Sequence, residues 1–204
     1  MIIFDAASHT YRTSTGVIVP SVTQALKYAD GAPDWSGVDP TVLAHAADRG
    51  RTVHEICRLF SEGTLNSETV DERLMPYLHG WQAFLRETTF EPVEWEVVHH
   101  HPDDGEQDEY VGRCDCYGYR GNDDGILIEI KTGAAQPTDA AQLAAYWEAW
   151  RVARSDDPIA RGWLVRLPGN GSYKIEGLSA ADARLQYRYT FLPALRRWRE
   201  ENER

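Results

Sequence analysis

Apolar and polar positions alternate in short runs over residues 1–19, which predicts brief strands joined by a turn at Ser14-Thr15-Gly16, with Pro20 closing the segment. Ser21 then stands where it caps a short helix over 22–29. Residues 30–39 (DGAPDWSGVD) read as a loop. From Asp39 the period changes. Leu43, Ala46, Ala47, Gly50, Val53, His54, Cys57 and Phe60 recur every three or four residues, the buried stripe of a helix. Asp39 is its N-cap, Pro40 its first position and Gly63 its stop. Gly50 in mid-helix costs about 1 kcal/mol relative to alanine, which implies close backbone approach there. A second helix spans 71–87, with Leu78, Trp81, Phe84 and Leu85 inward and Pro76 at its start or at a kink. Residues 93–101 (VEWEVVHHH) return to a period of two, with Glu94, Glu96 and Val98 on one face and Trp95, Val97 and His99 on the other.

The chain is organised around the stretch that follows. Val111–Tyr119 is rich in aromatic and β-favouring residues, Arg120–Gly125 carries Asn-Asp-Asp-Gly turn chemistry, and Ile126–Thr132 is β-branched, so the whole predicts a hairpin. Alternation puts Arg113, Asp115 and Tyr117 on one face with Cys114 and Cys116 opposite. On the second strand Glu129 and Lys131 share a face, and Ile128 and Ile130 the other. A register that sets Asp115 and Glu129 on one side collects two carboxylates and an ammonium. That is the chemistry of a divalent cation beside an activated water. A lone Glu-x-Lys arises about once by chance in a chain of this length, and its plain reading is a solvated surface pair. Yet of 21 basic residues only Lys27, Lys131 and Lys174 are lysines, and one of them stands here. Lysine offers a compact charge and a proton that burial can loosen.

Thr138 or Asp139 caps a helix to about Ala153, on which Gln142 and Tyr146, four apart, share a face; spacing alone reads them as an amphipathic polar stripe. Two more strands, 161–167 and 172–176, flank the turn Pro168-Gly169-Asn170-Gly171. Ser179 caps a last helix carrying Tyr187, Tyr189, Arg196, Arg197, Trp198 and Arg199. This mixture either follows a phosphate backbone or merely complements the helix dipole.

Composition narrows the class. The 204 residues, 42% hydrophobic and 26% charged, fit one soluble globular domain over 1–204. No apolar run is long enough to span a membrane, and MIIFDAASHTYR lacks the regions of a signal peptide. Three cysteines make no disulfide framework, so a reducing cytoplasm is expected, and they are too few for a four-cysteine iron–sulfur or zinc site. Three adjacent histidines on a strand cannot all face one metal. The net charge of −11 argues against a general phosphate-binding surface but leaves room for a local basic groove. Asp103, Asp104, Glu106, Asp108 and Glu109 read as a solvated acidic loop.

Four motifs occur in order: His54 in Arg49-Gly50-Arg51-Thr52-Val53-His54, then Gly112-Arg113-Cys114-Asp115, Glu129-Ile130-Lys131 and Gln142-Leu143-Ala144-Ala145-Tyr146. Together they resemble the RecB-like branch of the PD-(D/E)xK nuclease superfamily, in particular small phage-type exonucleases. The opening, His9-x-Tyr11 through Pro20-Ser21-Val22-Thr23, is similar to phage members, so the resemblance covers nearly the whole chain. It implies an α/β fold with a mixed central sheet flanked by helices, the helix from residue 139 lying beside the hairpin. It implies that Asp115, Glu129, the backbone carbonyl of Ile130 and His54 ligate Mg²⁺ or Mn²⁺. By the same resemblance, Lys131 orients or deprotonates the attacking water or stabilises charge at phosphorus, while Gln142 and Tyr146 position the site and the DNA. Glu96 is similar to an acid that some members place near the metal. Cys57, Cys114 and Cys116 do not supply the iron–sulfur set of the CRISPR-associated relatives, and no helicase phosphate loop is present.

The expected activity is a metal-dependent DNA exonuclease serving phage-type recombination or DNA processing in a bacterial cytoplasm. Its expected partners are DNA and a recombination or single-strand-annealing protein, in a chain that can assemble as a homo-oligomer. The alternative is a catalytically silent nuclease-fold module that binds DNA or protein, which the acidic composition favours. A restriction-type endonuclease matches His54 and the Gln142–Tyr146 pair less well.

Overall fold

A computed structural model describes residues 2–5, 10–103, 105, 108–121 and 125–202. His9, the acids Asp104 and Glu106, and the hairpin turn Asn122-Asp123-Asp124 lie outside the described residues.

The opening forms three short antiparallel strands, β1 (Ile2–Asp5), β2 (Thr10–Thr13) and β3 (Ile18–Val19), with Gly16 turning at φ 88°. Ser21 and Gln24 cap one another's backbones and start α1 (Val22–Ala25), which continues as a 3₁₀ turn through Tyr28. The helix α2 (Pro40–Ser61) begins at Asp39, whose carboxylate accepts from Thr41 N–H at 2.7 Å, and it ends before Gly63 at φ 70°. Only its C-terminal half is buried, through Val53, Ile56 and Cys57. The expected stripe is incomplete over 43–47, where Leu43 and Ala46 are only part-buried and Ala47 is exposed. Gly50 is not forced by close approach either. A β-carbon there would meet only the Thr132 hydroxyl, at an ordinary 3.7 Å. The next helix, α3 (Met75–Thr88), starts at its proline rather than at residue 71 and is tied to α2 by Trp81 Nε1–H donating to Ser61 Oγ at 3.0 Å.

Five strands form the central sheet in sequence order: β4 (Phe90–His101), β5 (Tyr110–Arg120), β6 (Gly125–Lys131), β7 (Ile159–Arg166) and β8 (Lys174–Leu178). All neighbours are antiparallel except β6 and β7, which run parallel because α4 (Asp139–Ala153) carries the crossover between them. The sheet is thus mixed and covered on both sides. On one side α4 packs with α1 and with the C-terminal helices α5 (Ala180–Gln186) and α6 (Leu192–Asn202), which a π-turn at Tyr187–Phe191 joins. On the other side α2 and α3 bury Val53, Cys57, Trp81 and Phe84 against Ile126, Ile128 and Ile130. Among the described residues no helix is long and apolar enough to cross a membrane.

Regular alternation breaks twice along β4, first where the register shifts between Pro92 and Glu94 and again at the Glu96–Asp115 rung. The β4–β5 ladder pairs Trp95 with Cys116 and Val97 with Cys114 but passes over Glu96 and Asp115, and Glu96 adopts φ 50°. Cys114 consequently packs on the α4 side and Cys116 on the α2–α3 side; Trp95 and Val97 are divided the same way. The expected shared faces of Cys114 with Cys116 and of Trp95 with Val97 do not hold, because an irregular residue resets strand parity.

Candidate active site

The same rung opens the sheet. β5 pairs with β6 only over Cys116–Gly118 opposite Ile126–Ile128, and beyond it the strands separate. The Asp115 side chain fills the place of a strand partner, its Oδ2 accepting from the Ile130 N–H at 2.7 Å. The edge of β5 that β6 vacates is taken up by the segment leading into α1. Val111 N–H donates to Pro20 O at 2.9 Å, and Ser21 bridges Val111 in parallel. The gap so framed is a cleft of about 540 Å³, with Asp115, Glu129, His54, Gln142 and Tyr146 in its wall.

His54 enters the gap from α2. Its Nδ1 lies 3.1 Å from Asp115 Oδ1 and its Nε2 3.1 Å from the Ile130 carbonyl. Both neighbours are acceptors, an arrangement that favours a proton on each ring nitrogen. Burial alone would lower its pKa, but the charge and hydrogen bond of Asp115, joined by Glu129, raise it to about 9. In return His54 and the Ile130 N–H hold Asp115 below the usual carboxylate range despite its burial.

Glu129 and Lys131, two apart on β6, do share a face. Lys131 Nζ donates to Glu129 Oε1 at 3.2 Å and to Gln142 Oε1 at 2.6 Å. Gln142 Nε2 donates to Glu129 Oε1 at 2.7 Å and to the Tyr146 hydroxyl at 2.9 Å. Gln142 and Tyr146 are therefore no solvated stripe; Tyr146 is buried, and its ring lies over Gly112. A β-carbon at Gly112 would come within 2.9 Å of that ring, which is the steric reason for glycine three residues before Asp115. Tyr110 fixes the same helix, its hydroxyl donating to Ala145 O at 2.8 Å.

Glu129 Oε1 is thus doubly bonded, whereas Oε2 is buried and without a partner among the described residues. Burial and the nearby Asp115 charge push the Glu129 pKa up to about 8, against the pull of Lys131 and His54. Burial acts to lower the Lys131 pKa, but Glu129, Asp139 and Asp115 overcome it and raise the value, so the side chain is a charged donor rather than a base.

Among the described residues no three His, Cys, Asp or Glu side chains stand together in metal-holding geometry; the His54 ring bonds Asp115 and the Ile130 carbonyl. The chemistry of the donors nevertheless suits a hard divalent cation. Two carboxylates, one with an unpartnered buried oxygen, a main-chain carbonyl and an imidazole converge on one gap.

Two residues of the cluster escape a sequence reading. Asp139, expected only as a cap, is buried. Its Oδ1 lies 3.5 Å from Lys131 Nζ, and its Oδ2 accepts from Arg166 Nη2 at 2.8 Å. Arg166, on β7, in turn bonds Glu176 on β8. The only sequence signal was an arginine inside the apolar run RGWLVRL. Glu96 lies outside the bonded cluster, its half-exposed carboxylate 3.7 Å from Arg113. Lys27, Arg51 and Arg113 also line the cleft.

No protein-family model matches the chain, and no curated protein does. Solved structures do. A "putative exonuclease" from Eubacterium rectale is 11% identical, with a TM-score of 0.51 over 89% of this chain and 81% of its own. A protein designated SSO0001 is 19% identical over 82% of this chain and 72% of its own, with a TM-score of 0.38. The first likeness shows a shared fold, a mixed sheet flanked by helices, over most of both chains.

Proposed function

We propose that the protein is a metal-dependent deoxyribonuclease of the RecB-like PD-(D/E)xK kind, hydrolysing phosphodiester bonds from DNA ends. One observation carries this reading. His54, Asp115, Glu129, Lys131, Gln142 and Tyr146 come from four separate elements and meet around one gap at the foot of a cleft lined by Lys27, Arg51 and Arg113. The exonuclease named for the Eubacterium rectale neighbour agrees with it.

In this reading Asp115, Glu129, the Ile130 carbonyl and His54, once its ring has given up a proton, would hold Mg²⁺ or Mn²⁺. Such a cation, when bound, neutralises phosphate charge and lowers the pKa of a water. Lys131 presents its ammonium toward the charge that develops at phosphorus. Gln142 fixes Lys131 and Glu129 relative to each other, Tyr146 holds Gln142, and Asp139 with Arg166 anchors Lys131 from behind. The three cations of the cleft meet the DNA backbone. A bacterial cytoplasm, a role in phage-type recombination beside a strand-annealing protein, and homo-oligomeric assembly complete the proposal.

A second reading, a silent binding module, has one observation in its favour: His54 and Lys131 already bond Asp115 and Glu129. Degradation of an end-labelled linear duplex beside a covalently closed circle, in Mn²⁺, Mg²⁺ or EDTA, separates the two. Metal-dependent loss of the linear DNA alone is expected. Cutting of both makes an endonuclease, and cutting of neither, nor of single strands, leaves the module.

A further inference from the structure

A second groove, of about 860 Å³, lies on the other flank of α4, between that helix and the C-terminal helices. Its wall carries Arg151, Arg184, Arg188 and Arg196 against one acid, Glu148, which Arg151 binds at 2.9 Å. In a chain of net charge −11 this is a local reversal of sign. Elsewhere Arg58, Arg73, Arg154 and Arg166 each find a carboxylate. Among the described residues Arg184, Arg188 and Arg196 form no ion pair, and all three are exposed.

Flat aromatic surface accompanies the charge. Tyr189 is 68% exposed, with the Arg188 guanidinium 5.8 Å from its ring centroid, while Trp147 lies buried in the wall behind. Arg188 and Tyr189 sit on the π-turn at Tyr187–Phe191, which inserts a residue into an otherwise continuous helix beside the groove. Such turns weaken the helical ladder and recur where a helix surface is used. An apolar partner would have no use for three unneutralised guanidinium groups, and an acidic peptide none for the exposed ring. Phosphates with unstacked bases between them use both.

We infer that this groove binds a single strand of nucleic acid, separately from the active-site cleft. The inference rests on the nuclease reading only for its choice of ligand. Since α4 lends Gln142 and Tyr146 to the cleft and Trp147 and Arg151 to the groove, one helix connects the two surfaces.

Fluorescence anisotropy of a dye-labelled oligothymidylate, titrated with the full chain in EDTA at several salt concentrations, tests this without cleavage. The double variant Arg188→Ala/Arg196→Ala is expected to bind at least about tenfold more weakly, with a salt slope shallower by about 0.7 for each phosphate no longer neutralised. Tyr189→Ala is expected to bind about tenfold more weakly at unchanged slope, because it removes stacking and no charge. All substituted side chains are exposed, and circular dichroism melts verify folding. Wild-type affinity in both variants overturns the inference, as does displacement of the strand by polyglutamate as readily as by unlabelled oligothymidylate. A protein that binds the strand through these residues yet cuts nothing refutes the nuclease reading and leaves the groove standing. One that cuts DNA while the variants bind normally does the reverse.

Discussion

The carboxylate of Asp115 accepts the backbone N–H of Ile130 at 2.7 Å, taking the position of a strand partner where β5 and β6 have already separated. One side chain thereby both opens the site and repairs the backbone bonding that the opening costs. Asp115→Asn keeps an acceptor for that N–H, whereas Asp115→Ala leaves it buried and unpaired. The alanine variant should be less stable than the asparagine variant by about 1–3 kcal/mol in urea unfolding with EDTA. Both should lose Mn²⁺ binding in calorimetry.

Gly112 is expected to tolerate no side chain. A methyl group would stand 2.9 Å from the Tyr146 ring, and that ring positions Gln142. Gly112→Ala should lower stability by about 1–3 kcal/mol and reduce DNA cleavage.

Asp139 neutralises Arg166 from within the fold and faces Lys131. Removing it strands a buried guanidinium with only its bonds to half-exposed Glu176. Asp139→Ala should cost about 3–5 kcal/mol in chemical unfolding, and Asp139→Ala/Arg166→Met should restore much of it.

His99 makes stability pH-dependent at a distance from the site. Its ring packs edge-on against Trp150 at 4.8 Å, and burial, then the Arg154 charge, lowers its pKa below 6.5 against the weaker pull of Glu94. The folded state therefore prefers the neutral ring. That contribution is complete above pH 6.5 and is lost as pH falls through the lowered folded value. Unfolding free energy should drop as pH falls below 6.5, and His99→Phe should flatten that part of the profile.

Where the local chemistry was complete in the chain, it was legible there. Asp39-Pro40 and Gly63 delimit α2 because capping and left-handed termination involve only neighbouring residues. The alternation of Glu129 and Lys131 held because β6 is regular, and the Gln142–Tyr146 spacing held because α4 is. The parity reset at Glu96 and Asp115 was not legible, since alternation presumes an unbroken pleat and neither residue is a glycine. Burial along α2 was overestimated at Leu43–Ala47, because periodicity states which face is apolar and not whether another element reaches it. Asp139 read as a cap because its partner Arg166 lies 27 residues away, across a crossover that no local pattern encodes.

The most direct test is the rate at which labelled nucleotides are released from linear DNA in Mn²⁺ by the wild-type chain and by Lys131→Ala. Lys131 is held by Glu129, Gln142 and Asp139 but is not itself a proposed metal ligand, so its loss should preserve Mn²⁺ binding while the buried partners it leaves unpaired lower stability, which urea unfolding measures beside the rates. The release rate is expected to fall roughly 100-fold or more. Equal rates for the two proteins, or no release by the wild type, would contradict the account.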